Sequence, residues 1–230
     1  MKAQIAALVV LAGAVSAANA APKLVWQVST DNGATWGAAR SATAGSTVKV
    51  RGMVDWTGTT GYGFGGLTHQ IFIDNYLGTD GGAQIASNGV GNRVGPFNFG
   101  AATLSARVTG STQRIVALGT TGNEGNISSG QQAPASAGGA YSTANPALIF
   151  TFDYVLGADA SARTLTIRSV VAASSGVNSS FGFHAAASST STSFRESGTV
   201  ENATITIIPT PGALAVLGLG GLVAGRRRRA

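Results

Sequence analysis

The segment "TVKVRGMVDW", residues 47–56, alternates apolar and polar side chains with a period of two. Val48, Val50 and Val54 fall on one side of this segment, and Lys49 and Arg51 fall on the other. Successive side chains of a β-strand point to opposite faces, so the pattern predicts a strand with one face in a core and one face in solvent.

Similar runs recur along the chain and are separated by Gly, Asn, Asp and Ser. Nine or ten strands at this spacing, with no long helical repeat between them, predict an all-β fold, an antiparallel β-sandwich or jelly-roll-like single domain. Two of the runs, 148–156 and 165–171, are predicted to form a hairpin across "GADASART". The other predicted strands are 24–28, 69–76, 103–108, 114–118, 180–185 and 200–208.

Two polar stretches interrupt this pattern. Residues 119–145 hold few apolar side chains and are predicted to be a long loop, which inside one domain is either functional or flexible. Residues 194–202 are similarly polar but short. Neither stretch divides the domain, so residues 21–208 are predicted to form one β-sandwich domain.

The first twenty residues have the three parts of a secretory signal peptide. Met1-Lys2 is a short positive start, residues 5–15 are apolar, and Ala18-Asn19-Ala20 is a small-residue cleavage pattern before Ala21. Residues 1–20 are therefore predicted to be a signal helix that is removed after Ala20. The alternative is a buried N-terminal helix.

The opposite end carries a short apolar segment and four arginines, Arg226, Arg227, Arg228 and Arg229. Residues 212–225 would span about 21 Å as a helix, whereas a bilayer core needs about 30 Å. The arginines are costly inside a bilayer and stay on the cytoplasmic side. The segment is therefore predicted to hold the chain in the inner membrane transiently. A permanent C-terminal transmembrane anchor is the alternative.

Pro209-Thr210-Pro211-Gly212, the apolar stretch and the arginine cluster together resemble a PEP-CTERM sorting signal. The usual tripeptide is Pro-Glu-Pro, and the Pro-Thr-Pro-Gly form is similar to a variant of some planctomycete-like bacteria. The resemblance covers residues 209–230. It implies recognition and cleavage by an exosortase-type sorting enzyme after passage through the secretion machinery. It also implies delivery to the cell surface or an extracellular matrix.

Charge excludes a nucleic-acid partner. The whole chain has a net charge of +6, but five of its 15 Lys and Arg residues lie in the two terminal segments. The body keeps ten basic residues against nine acidic ones and has no basic run. It also has no cysteine, so an exported domain must be stabilised by packing and not by disulfides.

The run "STDNGATW", residues 29–36, matches a turn motif. Asp31 can accept backbone N–H groups, Gly33 can adopt a positive φ, and Trp36 can cover the turn. The run resembles the Asp-box of sialidase-like propellers. It occurs once, so only the turn is expected and not a propeller.

Aromatic residues in the first third of the chain raise the question of sugar binding. Residues 61–66, "GYGFGG", match a nucleotide-loop spacing, but no helix follows, so they are predicted to form a glycine-rich turn. Trp56, Tyr62 and Phe64 are the candidate glycan contacts; packing in the core is the alternative for each. Calcium binding by Asp74, Asp80, Asp153 and Asp159 is possible in principle, but no known loop spacing supports it, so no metal or cofactor is predicted.

Catalytic signatures are absent from the sequence. His69 and His184 lie far apart in apolar strands, and no zinc-protease or nucleophile-elbow motif occurs. The sequence favours a non-enzymatic exported bacterial protein with a structural or adhesive role. The second hypothesis is a carbohydrate-binding module that retains exopolysaccharide. A glycan-active enzyme is the third and would need two facing carboxyl groups.

Overall fold

The computed structural model describes residues 20–86, 92–100, 103–118, 124–132, 142–159 and 161–209. Within these ranges the chain forms fifteen strands and no helix, so none of the described segments has a helix that could cross a bilayer. The two predicted terminal helices lie outside the described residues. The strands are β1 (Lys23–Ser29), β2 (Ala39–Thr43), β3 (Thr47–Asp55), β4 (Gly63–Asp74), β5 (Gly82–Gln84), β6 (Thr103–Thr109), β7 (Thr112–Leu118), β8 (Glu124–Gly125), β9 (Ile127–Gly130), β10 (Ala147–Val155), β11 (Arg163–Val171), β12 (Ser180–His184), β13 (Phe194–Ser197), β14 (Thr199–Glu201) and β15 (Ala203–Ile208).

The smaller sheet, sheet A, has β3 at its centre. Its strand order is β14-β1-β3-β10-β5, and β3 pairs antiparallel with both β1 and β10. Val48, Val50 and Val54 are fully buried, whereas Lys49 and Arg51 are half-buried on the outer face. The prediction that residues 47–56 form a strand with one buried and one solvent-facing side is therefore confirmed.

The larger sheet, sheet B, is built around β4, its longest strand. The strand order is β13-β12-β4-β11-β15-β2, and β4 pairs in addition with β7 and β9. The prediction of an all-β, two-sheet sandwich is confirmed. Among the strand pairs of the described residues, β1 with β14 and β2 with β15 are parallel and the others are antiparallel.

The apolar faces of the two sheets form one hydrophobic core around Trp26. Trp26 is opposite Gly52 on β3, and a Cβ at Gly52 would lie 3.0 Å from the indole ring. The rings of Phe150 and Phe152 approach the indole edge-on, with centroids 6.5 and 6.3 Å away. Gly52 thus leaves the space that the largest core side chain occupies, and close packing of this kind stabilises the interior.

The predicted hairpin between residues 148–156 and 165–171 is wrong. β10 belongs to sheet A and β11 to sheet B, and the chain crosses between the sheets after Val155. The backbone of Leu156 donates to Ser46, and that of Gly157 donates to the carboxylate of Asp80. These bonds hold the end of β10 beside sheet A, and the chain joins sheet B only at Arg163, where β11 begins.

The predicted glycine-rich turn at residues 61–66 is wrong in its second half, because β4 already begins at Gly63. Gly66 has a φ of +150° and lies between Gly130 and Gly182 of the neighbouring strands. A Cβ at Gly66 would be only 2.6 Å from the Cα of Gly130. The glycines here permit close approach of three strands.

The polar stretches also contain strands that alternation did not predict. β8 and β9 lie within residues 119–145, and β13 lies within 194–202. The prediction of a single strand over 200–208 is wrong, because Thr199–Glu201 forms β14 of sheet A and Ala203–Ile208 forms β15 of sheet B. β13 and β14 have no fully buried position in their burial pattern. A strand with few core contacts lacks the apolar period that identifies a strand from sequence.

Candidate functional site

The turn that follows β1 is fixed by the Asp31 carboxylate. Asp31 accepts hydrogen bonds from the Ser29 hydroxyl at 2.6 Å and from the Thr35 backbone N–H at 2.9 Å. Asn32 and Gly33 have φ values of 59° and 93°. These bonds, that of Ser29 first, hold the pKa of Asp31 well below its usual range. The side chains that carry the turn motif thus lie together in one turn.

The turn places Trp36 over the outer face of sheet A. The indole lies beside Gly33, where a Cβ would be 3.5 Å from the ring, and the Arg51 guanidinium lies 4.3 Å from the ring centroid. Arg51 also donates through Nε to Gln27 at 2.8 Å. Partial burial of the guanidinium lowers the pKa of Arg51. The half-buried indole is therefore held by a cation–π contact to the sheet below it.

A groove of about 370 Å³ runs beside Trp36, and we call it the Trp36 groove. Lys49 and Asp153 form an ion pair of 3.2 Å along it, and their side chains are 37% and 47% exposed. The groove is lined by Trp36, Lys49, Val50, Gln84, Asn92, Thr151, Phe152 and Asp153. An aromatic ring, a neutralised charge pair and amide and hydroxyl groups thus share one open groove.

Neighbouring strands set the positions of these groups. Asp153 on β10 is opposite Lys49 on β3 and opposite Gln84 on β5, so the three lie in one row across sheet A. The buried side chain of Asn92 donates to the Gln84 and Thr151 carbonyls at 3.2 and 3.0 Å. The sheet edge on this side of the groove is therefore fixed by hydrogen bonds.

The three predicted glycan contacts do not form an exposed platform. Trp56 and Phe64 are buried, at 8% and 1% exposure, and both pack against Phe183. Trp56 also donates its indole N–H to the Ala144 carbonyl. The glycan assignment of Trp56 and Phe64 is therefore wrong, because their faces are covered by the core. Tyr62 is 46% exposed, and its backbone N–H donates to the His184 carbonyl at 2.7 Å.

A histidine and two serines, side-chain types that are often catalytic, lie together in the core between the two sheets. His69 contacts the Ser169 hydroxyl at 3.4 Å and the Ser129 hydroxyl at 3.0 Å. Its side chain is fully buried, and burial lowers the pKa of His69 to about 3. A base this weak, closed off from solvent, is suited to supporting the core and not to activating a nucleophile.

The candidate calcium ligands each have a protein partner. The buried Asp80 carboxylate accepts hydrogen bonds from Arg163, from the Gly157 amide at 2.8 Å and from the Tyr154 hydroxyl at 3.3 Å. Burial, followed by the charge of Asp80, raises the pKa of Tyr154. The other three, Asp74, Asp153 and Asp159, bind Arg168, Lys49 and the Ser161 amide. Among the described residues no group of three or more acidic or histidine side chains is arranged to hold a metal ion.

A second groove of about 370 Å³ lies on sheet B. The exposed ring of Phe99 and the side chains of Thr192 and Arg195 line it, together with the glycine backbone of β4 and β9. His184 also lines it and contacts the Ser191 carbonyl at 3.0 Å. Neither groove was predicted from the sequence, because each joins residues more than a hundred positions apart.

The predicted processing residues lie at the limits of the described chain. Ala20 and Ala21 are exposed and are separated from β1 by Pro22, and Pro209 directly follows β15. Ala18, Thr210, Pro211, Gly212 and Arg226–Arg229 lie outside the described residues. Export and processing at these positions stay predictions.

No protein-family model matches the chain. No curated protein is similar to it at a significant level.

Solved structures include some of similar strand arrangement. One is the seventh ScaB type I cohesin from Pseudobacteroides cellulosolvens, with 11% identity, 83% of this chain and 94% of that chain covered, and a TM-score of 0.47. Another is the Coh-OlpA–Doc918 cohesin–dockerin complex from Clostridium thermocellum, with 8% identity, coverage of 82% and 99%, and a TM-score of 0.45. A third is the C-terminal domain of the Streptococcus pyogenes antigen I/II-family protein AspA, with 10% identity, coverage of 80% and 46%, and a TM-score of 0.31. These similarities describe backbones and do not indicate what this chain binds.

Proposed function

We propose that this chain is an exported, non-enzymatic bacterial protein whose β-sandwich has a structural or adhesive role at the cell surface or in an extracellular matrix. The observation that supports a non-enzymatic role is the burial of His69 between two serine hydroxyls, with its pKa lowered to about 3. The buried Asp80 is likewise occupied by Arg163 and backbone amides. In the described ranges, these groups support the fold and leave the outer sheet faces for binding.

Export and sorting are proposed from the two ends of the chain. Residues 1–20 have the parts of a signal peptide, and residues 209–230 resemble a PEP-CTERM signal. An exosortase-type enzyme would remove the tail after the arginine cluster has held the chain in the inner membrane. The domain between them would then be released to the surface or matrix.

A reporter tests this proposal. Residues 200–230 are fused to a secreted reporter in a host that has an exosortase, and a second fusion carries Arg226–Arg229→Ser. We expect the first reporter to be trimmed and delivered to the surface and the second to be processed poorly. Equal processing and location of the two reporters would contradict the sorting role.

The second candidate function is polysaccharide binding. The half-buried Trp36 beside polar groups on an open sheet face favours it, in place of the buried Trp56 and Phe64. No observation on the described residues favours a glycan-active enzyme. Asp153 is the one acidic side chain among the described residues that line the Trp36 groove, and it is paired with Lys49, whereas glycoside hydrolysis uses two carboxyl groups.

A further inference from the structure

We propose that the Trp36 groove is a binding site for uncharged pyranose rings of a polysaccharide. This inference rests on the proposed function only in that an exported chain would meet such a polymer outside the cell. The groove is assigned from the geometry of sheet A and from the turn that carries Trp36.

The Trp36 indole forms an aromatic wall of the groove. An indole face carries negative quadrupole density and attracts the weakly positive C–H groups of a sugar ring. Trp36 lines the groove and is half-buried, and Arg51 supports its ring at 4.3 Å. Because Arg51 is itself tied to Gln27, the indole is held in position before a ligand arrives.

Polar groups that can bind sugar hydroxyls lie beside the Trp36 ring. A sugar hydroxyl both donates and accepts, so it pairs well with a cation and a carboxylate side by side. Lys49 supplies donors and Asp153 supplies acceptors, and both are more than one-third exposed. Thr151 adds a hydroxyl to the same lining.

The charge of the groove favours an uncharged ligand. Lys49 and Asp153 neutralise each other at 3.2 Å, so the floor of the groove carries no net charge. A uronate or sulfate ring placed here would lose part of its hydration and gain no net attraction from this neutral pair. An uncharged ring avoids this cost, and its binding should depend little on salt.

The polar groups of the groove are held rigidly, and its volume suits a small ligand. Lys49, Asp153 and Gln84 lie in one row across three paired strands. The Gln84 side chain donates to the Gly81 and Gly82 carbonyls at 3.0 and 3.1 Å, which leaves its amide oxygen as an acceptor. Polar groups on strands are held more precisely than groups on loops. A volume of about 370 Å³ lies in the range of small-ligand sites, which begins at about 300 Å³.

Affinity electrophoresis of the full chain tests the assignment. The gels contain dextran, hydroxyethylcellulose, galactan, alginate or hyaluronan. Each polymer is tested at a low salt concentration of about 0.03 M and at a high one of about 0.3 M, where exposed charges are strongly screened. We expect retardation by at least one uncharged polysaccharide at both salt concentrations. Trp36→Ala should weaken it by about tenfold or more, as for a central aromatic contact.

Two further variants locate the site. Gln84→Ala removes an exposed side chain and should weaken binding with the fold intact, as judged by thermal unfolding. Phe99→Ala removes a 54% exposed ring from the second groove and should leave binding unchanged. Trp36→Phe should restore part of the affinity lost in Trp36→Ala.

Several results would overturn the inference. These are binding to none of the uncharged polymers, binding only to alginate or hyaluronan at low salt, and loss of binding in Phe99→Ala. Loss of self-association in Trp36→Ala without sugar binding would assign the groove to a second copy of the chain. The reporter experiment does not involve the groove, so a failed sugar assay with correct sorting would refute this inference alone.

Discussion

The indole N–H of Trp26, in sheet A, donates to the hydroxyl of Ser169, in sheet B, at 3.1 Å in the middle of the core. Ser169 also contacts His69, which in turn contacts Ser129. Four polar side chains thus satisfy one another between the two sheets. An unpaired polar group at this depth would be costly, so the four form one interdependent unit.

Replacement of Ser169 by alanine should therefore destabilise the fold. The change leaves the Trp26 N–H without its acceptor and removes one contact of His69, which costs about 1–3 kcal/mol. Urea unfolding of Ser169→Ala measures the loss. The exposed Ser188→Ala is the matched control and should change stability by less than about 0.5 kcal/mol. Equal stabilities of the two variants would mean that the hydrogen bonds contribute nothing.

Stability should fall as the pH drops from about 6.5 towards 3. Burial lowers the pKa of His69 in the folded chain to about 3, whereas the unfolded chain takes up this proton near the ordinary value of 6.5. Between these values the unfolded state binds more protons, so acid favours unfolding by at most about 1.4 kcal/mol per pH unit. Urea unfolding at pH 7, 6 and 5 measures the slope.

The variant His69→Gln separates this effect from other titrating groups. Gln keeps a donor and an acceptor but does not titrate, so the slope between pH 6.5 and 5 should become shallower. Because the two chains differ only at this residue, the difference in slope belongs to His69. The same slope in both chains would show that His69 is not buried as a neutral group.

Overfilling the space above Gly52 should destabilise the core. A Cβ at Gly52 would already lie 3.0 Å from the Trp26 ring, so Gly52→Val forces the indole to move, at a cost of about 1–3 kcal/mol. Thermal unfolding and near-ultraviolet circular dichroism report the change. Gly78→Ala is the control, because no atom lies within 4 Å of its Cβ position. A Gly52→Val chain as stable as the control would contradict the placement of Trp26.

Loss of Asp80 should be more damaging than loss of a surface carboxylate. Asp80→Ala leaves the largely buried Arg163 without its ion pair and should cost about 3–5 kcal/mol. Adding Arg163→Met should recover part of this loss, because the unpaired charge is then gone. Glu201→Ala breaks an exposed pair with Lys23 and should change stability little. Chemical unfolding of the four chains checks the order.

Alternation allowed the individual strands to be predicted but not their partners. Val48, Val50 and Val54 indicate one buried face, and that face packs as expected. The prediction of a hairpin between residues 148–156 and 165–171 was wrong. Turn-forming residues occur both in hairpins and in connections between two sheets, so they do not distinguish the two. The groups that bind the end of β10, at Ser46 and Asp80, lie more than 70 residues away in the sequence.

The candidate site was predictable only in part. The motif around Asp31 indicates a turn, yet the position of Trp36 over Arg51 depends on how that turn meets sheet A. Lys49, Gln84 and Asp153 become neighbours only through strand register. Trp56 and Phe64 resemble surface aromatics in sequence because their apolar neighbours come from distant strands such as β12.

The most direct test of the proposed function is intact-mass measurement of the protein recovered from the surface or matrix of its native cell, with peptide mapping of both ends. We predict a mature chain that begins at Ala21 and has lost the arginines at 226–229. Recovery of the surface pool with the tetra-arginine end still attached would contradict the account. So would confinement of the full chain, with Met1 in place, to the cytoplasm.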